Sequence, residues 1–351
     1  MQNRHMTLAD CLTGQLREPV GAMVDEAGRA DLAALLGEIA ATVNSISSLV
    51  SQGALGAPHK PLDAAAHDML VAMCEQSALV KAFSSTRTDA VTPVDGTRGG
   101  YLVAFEPLDG AAHAGLNLTA GTIFSVLRQH ERQPAGDAVF LRTGREQVAA
   151  GYAIYGPSTM LILTVGNGTH GFTLDRQTGT FVLTHPSIRL PEQATGFSIN
   201  SANERFWEPP VLRFVRECRA GSTGERQQDF STRWTGSTVA DVHLLMMLGG
   251  VYLQPRERRQ PARPGRLRML HEANPLAFLV EQAGGIASTG RARFLEIEPQ
   301  TVHERVPVIL GSRCEVERLE RYHREYESGT DAPFISPLFN ERSLFRPEAR
   351  A

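Results

Sequence analysis

The sequence predicts an α/β fold in a chain of 351 residues, which is long enough for two domains that each bury a core. Helical patterns open the first half and strand patterns follow them, while helices and strands alternate in the second half. The composition is 42% hydrophobic and 21% charged with a net charge of −3, as is typical of a globular protein. This balance gives no reason to expect nucleic acid or an anionic membrane as a partner.

The first half is predicted to contain two helices followed by strands. Residues 31–50 form an amphipathic helix, because seven apolar side chains recur on one face. A second helix begins near Asp63. Strand patterns follow at 101–106, 122–127, 160–166, 170–174 and 180–183, and a turn at 175–179 joins the last two as a hairpin.

The pattern changes near residues 187–191, where we expect a domain boundary. The division gives an N-terminal half at 1–188, a C-terminal half at 189–330 and an irregular tail at 331–351. A helix is predicted at 238–248, and Asn274 with Pro275 reads as the N-cap and first residue of another. A buried strand is predicted at 306–310 and a charged helix at 315–327. The polar, glycine-rich segment 217–232 is predicted to be a flexible loop.

The cysteines and the apolar runs point to a cytoplasmic protein. Four cysteines are scattered without a CxxC pair, so neither a zinc site nor a disulfide framework is expected (Cys11, Cys74, Cys218 and Cys314). No apolar run approaches the roughly 20 residues that span a bilayer. Residues 1–6 lack the apolar core of a signal peptide.

The segment 105–112, Phe-Glu-Pro-Leu-Asp-Gly-Ala-Ala, is the most informative stretch of the chain. Glu106 and Asp109 lie three residues apart directly after a strand, a pattern that suits a hard cation such as Mg²⁺. The segment resembles the metal loop of class 1 fructose-1,6-bisphosphatases, which reads Asp-Pro-Leu-Asp-Gly-Ser-Ser. Here the first Asp is Glu106, and the two serines are Ala111 and Ala112.

Further segments extend the resemblance, in order, from about Leu16 to about Tyr322. It implies a layered α/β/α/β/α sugar-phosphatase fold, hydrolysis of a sugar phosphate monoester, and a homodimer or homotetramer. The segments that carry it are GYAIYG (151–156), FSIN (197–200), GSTVADVH (236–243), EANPLA (272–277), GGIASTG (284–290) and PVILGS (307–312).

The resemblance also implies a metal site, and the chain departs from it. The family holds two or three Mg²⁺ ions with a Glu-Glu pair, two Asp of the metal loop and a Glu before Asn-Pro. Glu106, Asp109 and Glu272 occupy three of these positions, whereas the Glu-Glu pair falls on Ser85 and Thr86. Because the number of carboxylates sets affinity, we expect Mg²⁺ binding to be possible but weakened.

The candidate catalytic residues are Asp63, Asp68, Glu106 and His113. The two aspartates match family aspartates, one of which assists the attacking water. Alternatively, Asp63 is only a helix N-cap and Asp68 a first-turn acid. His113 stands where the family has Asn and could transfer a proton near neutral pH, or it could be an ordinary loop residue.

Substrate-binding candidates follow from the same resemblance. Asn200, Arg233 and Arg266 correspond to the Asn, Arg and Lys that bind the remote phosphate, with Arg233 reaching across a dimer interface. Alternatively, Arg266 is one more basic residue of the arginine-rich loop 255–268. The remaining candidates surround the sugar and its phosphates. Three of them replace tyrosines of the family (Asn203, Trp234 and Gln254). The others keep backbone N–H donors or small side chains (Gly236, Ser237, Ala111 and Ala112).

Three functions remain open at this point. The first is a divergent family member that binds a phosphorylated or otherwise anionic metabolite, with its Mg²⁺-dependent phosphatase activity repurposed or weakened. The second is a functioning fructose-1,6-bisphosphatase that uses fewer metals. The third is a non-catalytic regulatory subunit of an active paralogue.

Overall fold

A computed structural model of the chain describes residues 6–15, 26–55, 61–97, 99–129, 136–259 and 264–331. The predicted tail, apart from its first residue, and residues 1–5 lie outside the described residues. The helices are α1 Leu8–Gln15, α2 Glu26–Ser51, α3 Leu62–Gln76, α4 Ala111–Ala114, α5 Pro209–Ala220, α6 Thr238–Leu248, α7 Asn274–Gln282 and α8 Arg313–Glu327.

The strands of the first half form an eight-stranded sheet in the order β2-β1-β3-β4-β5-β6-β7-β8. Strands β1 and β3 are parallel, and from β3 onward each strand pairs antiparallel with the next along the chain. The bounds are β1 Val80–Ser85, β2 Thr92–Pro93, β3 Tyr101–Asp109, β4 Ala120–Arg128, β5 Gln147–Tyr155, β6 Thr159–Thr164, β7 Thr169–Asp175 and β8 Thr180–Ile188.

The second half builds a five-stranded sheet and a short ribbon. The sheet has the order β10-β9-β11-β15-β13, and β12 pairs with β14 in the ribbon. The bounds are β9 Gly196–Ser198, β10 Ser231–Thr232, β11 Val251–Gln254, β12 Leu267–Arg268, β13 Ile286–Ser288, β14 Arg305–Val306 and β15 Val308–Gly311.

The buried side chains place these elements in five layers. One cluster packs α1, α2 and α3 against one face of the large sheet, including Leu35 and Phe105. A second packs α6 and α7 between the two sheets, with Tyr152 on one side and Tyr252 on the other. A third joins α5 and α8 to the outer face of the small sheet. The α/β/α/β/α layering is therefore confirmed.

Helix α2 is long and apolar enough over Gly28–Ser51 to cross a membrane by length and composition alone. The expectation that no apolar run approaches that length was wrong. About half of this stretch is buried inside the protein, with Leu32, Leu35 and Val43 fully enclosed under the large sheet. A buried core helix meets the same criterion as a membrane span.

Two local predictions were also wrong. Segment 217–232 begins with the last turn of α5, and its Arg226 forms a buried ion pair with Glu315 of α8, with both side chains 3% exposed. Asn274 is not an N-cap, because a π-helical turn at Met269–Ala273 runs directly into α7. All four cysteines are free, as expected.

Candidate active site

Three carboxyl groups meet between the two sheets. Glu106 and Asp109 lie at the end of β3, and Glu272 lies in the π-helical turn before α7. Burial raises the pKa of each group, and it raises that of Glu272 to about 8 with a further contribution from the charge of Glu106. The Arg268 guanidinium acts in the opposite direction on Glu106 and Glu272. The structure thus brings the three predicted metal ligands close enough for the charge of one to shift the pKa of another.

Hydrogen bonds already occupy some oxygens of these three carboxyl groups, which we call the acid cluster (Glu106, Asp109 and Glu272). Asp109 Oδ2 accepts from Ser237 Oγ at 2.7 Å and from the Val239 N–H at 2.9 Å. Glu272 Oε2 accepts from the Arg268 N–H at 2.7 Å. Within the described ranges, no group of three or more His, Cys, Asp or Glu side chains has the geometry to hold a metal ion. The donors on Asp109 and Glu272 compete with any cation for these two oxygens.

The positions of the family's Glu-Glu pair carry neutral hydroxyl groups. Ser85, the last residue of β1, forms a hydrogen bond of 3.0 Å between its Oγ and His67 Nδ1. The Thr86 side chain lies near Glu106 and lowers the pKa of that carboxyl, but its Oγ1 is buried without a hydrogen bond of normal geometry. Hydroxyl groups can steady a buried acid, but they add no negative charge for a divalent cation.

Both candidate aspartates of the water-activating machinery lie on α3. Asp63 is in the first turn and pairs with Arg87. The N-cap residue is Pro61, so the alternative that Asp63 is an N-cap was wrong. Asp68 lies well inside the helix and is not a first-turn acid. The Asp63 carboxylate is held by an arginine on the segment that follows β1.

The short helix α4 carries Ala111, Ala112 and His113, the candidates expected beside the phosphate that reacts. Gly110 precedes it with a φ of 72°, and a β-carbon there would lie 3.2 Å from Ser237, so glycine suits this close approach. In the described part of the chain, neither Ala111 nor Ala112 donates its backbone N–H to another residue. The His113 ring lies against Gly236, 3.0 Å from where a β-carbon would be, and its charge lowers the pKa of Asp109.

A cavity separate from the acid cluster, which we call the distal pocket, brings together four substrate-binding candidates. It has a volume of about 430 Å³. Gln254 Nε2 donates to Tyr252 Oη at 3.0 Å, and Asn203 Nδ2 donates to Glu257 Oε1 at 2.6 Å. The polar side chains that line it are Asn200, Asn203, Gln254, Glu257, Arg259 and Arg266.

Arg233 does not join this pocket. It is exposed beside β10 and lines a separate cavity of about 160 Å³ between the small sheet and α6. Trp234 packs on the core between the sheets, and Gly236 and Ser237 face the acid cluster and His113. The predicted set is therefore divided between the acid cluster, the distal pocket and the cavity beside Arg233.

Comparisons with known proteins agree with this geometry. Residues 6–186 match the profile of the fructose-1-6-bisphosphatase N-terminal domain, and residues 190–324 match that of its C-terminal domain. A class 1 fructose-1,6-bisphosphatase of Methylacidiphilum infernorum is 45% identical over 99% of each chain. One from Paraburkholderia phymatum is 47% identical over 90% of this chain and 92% of the relative. The chain belongs to the class 1 fructose-1,6-bisphosphatase family.

Solved fructose-1,6-bisphosphatases share the fold of this family member. The Leishmania major enzyme in holo form superposes with a TM-score of 0.82 at 31% identity, covering 91% of this chain and 99% of that one. Its T-state structure gives the same TM-score at 32% identity.

Three site residues of this family member escaped the sequence reasoning. Glu257 and Arg259 lie in the arginine-rich loop, where composition gave no reason to single out one charge. Arg268 approaches both Glu106 and Glu272. No sequence signal pointed to Arg268, because it ends the short strand β12 and approaches the acids only through the π-helical turn that follows.

Proposed function

We propose that this family member binds a phosphorylated or otherwise anionic sugar metabolite in the distal pocket, and that its Mg²⁺-dependent hydrolysis is repurposed or weakened. One contrast carries the proposal. The distal pocket is open and offers Arg266, whereas the acid cluster has Ser85 and Thr86 where the family has two glutamates, and protein donors engage two of its oxygens, Asp109 Oδ2 and Glu272 Oε2. Arg266 offers a bidentate fork suited to phosphate or carboxylate.

The acid cluster is suited to proton transfer without a metal-dependent step. Burial and the charge of Glu106 raise the pKa of Glu272 to about 8, which favours the protonated form of this carboxyl near neutral pH and suits it to act as a general acid. His113, beside Asp109 and Gly236, offers a second group for proton transfer to a ligand above α4. Any Mg²⁺ would be held weakly by Glu106, Asp109 and Glu272.

A calorimetric titration with fructose 1,6-bisphosphate tests the binding site. Arg266→Ala should weaken binding at least about tenfold, because a charge-assisted hydrogen bond contributes about 1.5–3 kcal/mol. Arg145→Ala is the matched control, since Arg145 is 61% exposed and pairs with Glu296 outside the pocket. Equal affinities for the wild type and Arg266→Ala would remove the distal pocket from the proposal.

A functioning fructose-1,6-bisphosphatase with fewer metals is the second candidate. The observation in its favour is the clustering of Glu106, Asp109 and Glu272, whose raised pKa values mark a site where a cation would offset the cost of burying charge. It differs from the first proposal in predicting that phosphate is released.

The proposed setting is a cytoplasmic homodimer or homotetramer that acts on a small molecule, without nucleic acid or membrane. The exposure of Arg233 outside the distal pocket supports a role at a subunit interface.

A further inference from the structure

A further cavity, which we call the hydroxyl pocket, lies between the end of α2, the segment after α4 and the turn that joins β5 to β6. Its volume is about 460 Å³, and small-molecule sites commonly measure about 300–1,000 Å³. It shares no lining residue with the distal pocket or with the cavity beside Arg233. None of the residues that line it is a site candidate from the sequence.

Two buried hydroxyl groups belong to the wall of this cavity. Ser47 of α2 is 2% exposed and Thr159 of β6 is 1% exposed, and their side-chain oxygens lie 2.6 Å apart. Arg176 Nη2 donates to Ser47 Oγ at 3.2 Å and to Thr159 Oγ1 at 3.3 Å. Each hydroxyl has one proton, so one proton joins the two oxygens and the other has no acceptor among the residues that the structure describes. A buried donor without an acceptor is costly, so this proton calls for an acceptor in the cavity.

Arg176 carries a charge that no carboxylate balances in the described part of the chain. It lies in the turn between β7 and β8, next to Asp175. The two Asp175 oxygens accept from the Gln177 N–H and from the Thr178 hydroxyl of the same turn, each at 2.9 Å, and do not pair with Arg176. Arg176 is exposed, and its Nε and Nη1 donate to none of the described residues. These N–H groups therefore remain for a ligand.

We propose that the hydroxyl pocket binds the phosphate group of a small phosphorylated metabolite. The pocket offers the guanidinium fork of Arg176 together with the spare hydroxyl proton. A phosphate monoester has three strong acceptor oxygens and can accept from both donors at once, whereas a carboxylate has two oxygens. Val50, Leu118 and Pro157 add apolar surface that suits a short carbon chain. The site is separate from the one in the proposed function and does not depend on it.

Calorimetric titrations of the full chain with inorganic phosphate and with glycerol 3-phosphate test this site. They are made in the Arg266→Ala background, so that the distal pocket contributes little to the signal. Adding Arg176→Gln should weaken the binding of both probes at least about tenfold, because the charge-assisted hydrogen bonds are lost. Arg145→Gln is the matched control and should leave both affinities unchanged, since Arg145 is 61% exposed and pairs with Glu296 outside this cavity.

Two further variants separate recognition from structure. Ser47→Ala/Thr159→Val removes both hydroxyl groups and should weaken phosphate binding about fivefold or more. Arg176→Lys keeps the charge but loses the fork, so its affinity should lie between those of the parent and of Arg176→Gln. The midpoint of thermal unfolding of each variant reports whether the protein remains folded. Acetate should bind more weakly than phosphate, because it has fewer acceptor oxygens and less charge.

The results distinguish this inference from the proposed function. Equal phosphate affinities for Arg176→Gln and Arg145→Gln would overturn the hydroxyl pocket, as would tighter binding of acetate than of phosphate. If Arg266→Ala alone abolishes phosphate binding, the distal pocket stands and the hydroxyl pocket falls. If Arg176→Gln weakens the binding of both probes while Arg266→Ala changes no affinity, the hydroxyl pocket stands and the proposed role of the distal pocket falls.

Discussion

At the scale of single residues, the acid cluster combines charge and burial in a way that makes stability depend on pH. Asp109 is held by Ser237 and by the N-terminus of α6, and Glu272 by its own π-helical turn. Hydrogen bonds to these carboxylates lower their pKa values, but burial outweighs that effect for both groups. The folded protein therefore retains protons that the unfolded chain releases.

Glu272→Gln should make stability less dependent on pH. The pKa of Glu272 is about 8 in the folded state against an ordinary 4.5, so the folded state binds more protons between these values and wild-type stability falls as pH rises through them. In metal-free urea unfolding, the variant should lose on the order of 1–3 kcal/mol less than the wild type between pH 5 and pH 8.5. Glu317→Gln, an exposed control, should behave as the wild type. Equal slopes for the wild type and Glu272→Gln would show that Glu272 ionises normally.

At the scale of elements, the contact of β4 with α6 positions the site. Ser237 caps α6 by accepting from the Ala240 N–H, and it also donates to Asp109 at the end of β3, so this helix start links the two sheets. Gly121 of β4 allows the close approach. A β-carbon there would lie 2.4 Å from the Ala153 carbonyl oxygen and 2.5 Å from Val239 Cγ1.

Gly121→Ala should destabilise the protein because the backbone of β5 and the side chain of Val239 cannot both move away. Overpacking of this kind costs about 1–3 kcal/mol, which denaturant unfolding can measure. Gly100→Ala is the matched control, since a β-carbon at Gly100 would have nothing within 4 Å. If the two variants are equally stable, the packing of β4 on α6 is looser than described.

At the scale of the whole molecule, local patterns and family resemblance predicted different things. Periodicity located α2 because its apolar face is determined locally, whereas Gly249 and Gly250 marked the end of α6. The strand patterns missed β1 and β5, in which small residues such as Ser84, Ala149 and Gly151 dilute the β-branched and aromatic side chains that mark a strand. The five layers came from the resemblance, because layer order depends on contacts between distant segments.

The residues of the site were predictable from the sequence, but the side chains with which they form hydrogen bonds and ion pairs were less so. The convergence of Glu106, Asp109 and Glu272 followed from the family motifs. The pairing of Asp63 with Arg87 and of Asn203 with Glu257 did not, because neither is part of a motif and both depend on how loops are placed. The order of segment 217–232 was missed for a similar reason, since a buried partner on α8 outweighs its loop-like composition.

Phosphate release from fructose 1,6-bisphosphate with saturating Mg²⁺ or Mn²⁺ tests the central claim most directly. An active relative and the Ser85→Glu/Thr86→Glu/Ala111→Ser/Ala112→Ser variant would be assayed alongside. We predict that the wild type releases phosphate at a small fraction of the relative's rate and that the variant gains activity, because it restores the carboxylates and hydroxyls. Wild-type turnover close to that of the relative would contradict the account and show that three carboxylates suffice.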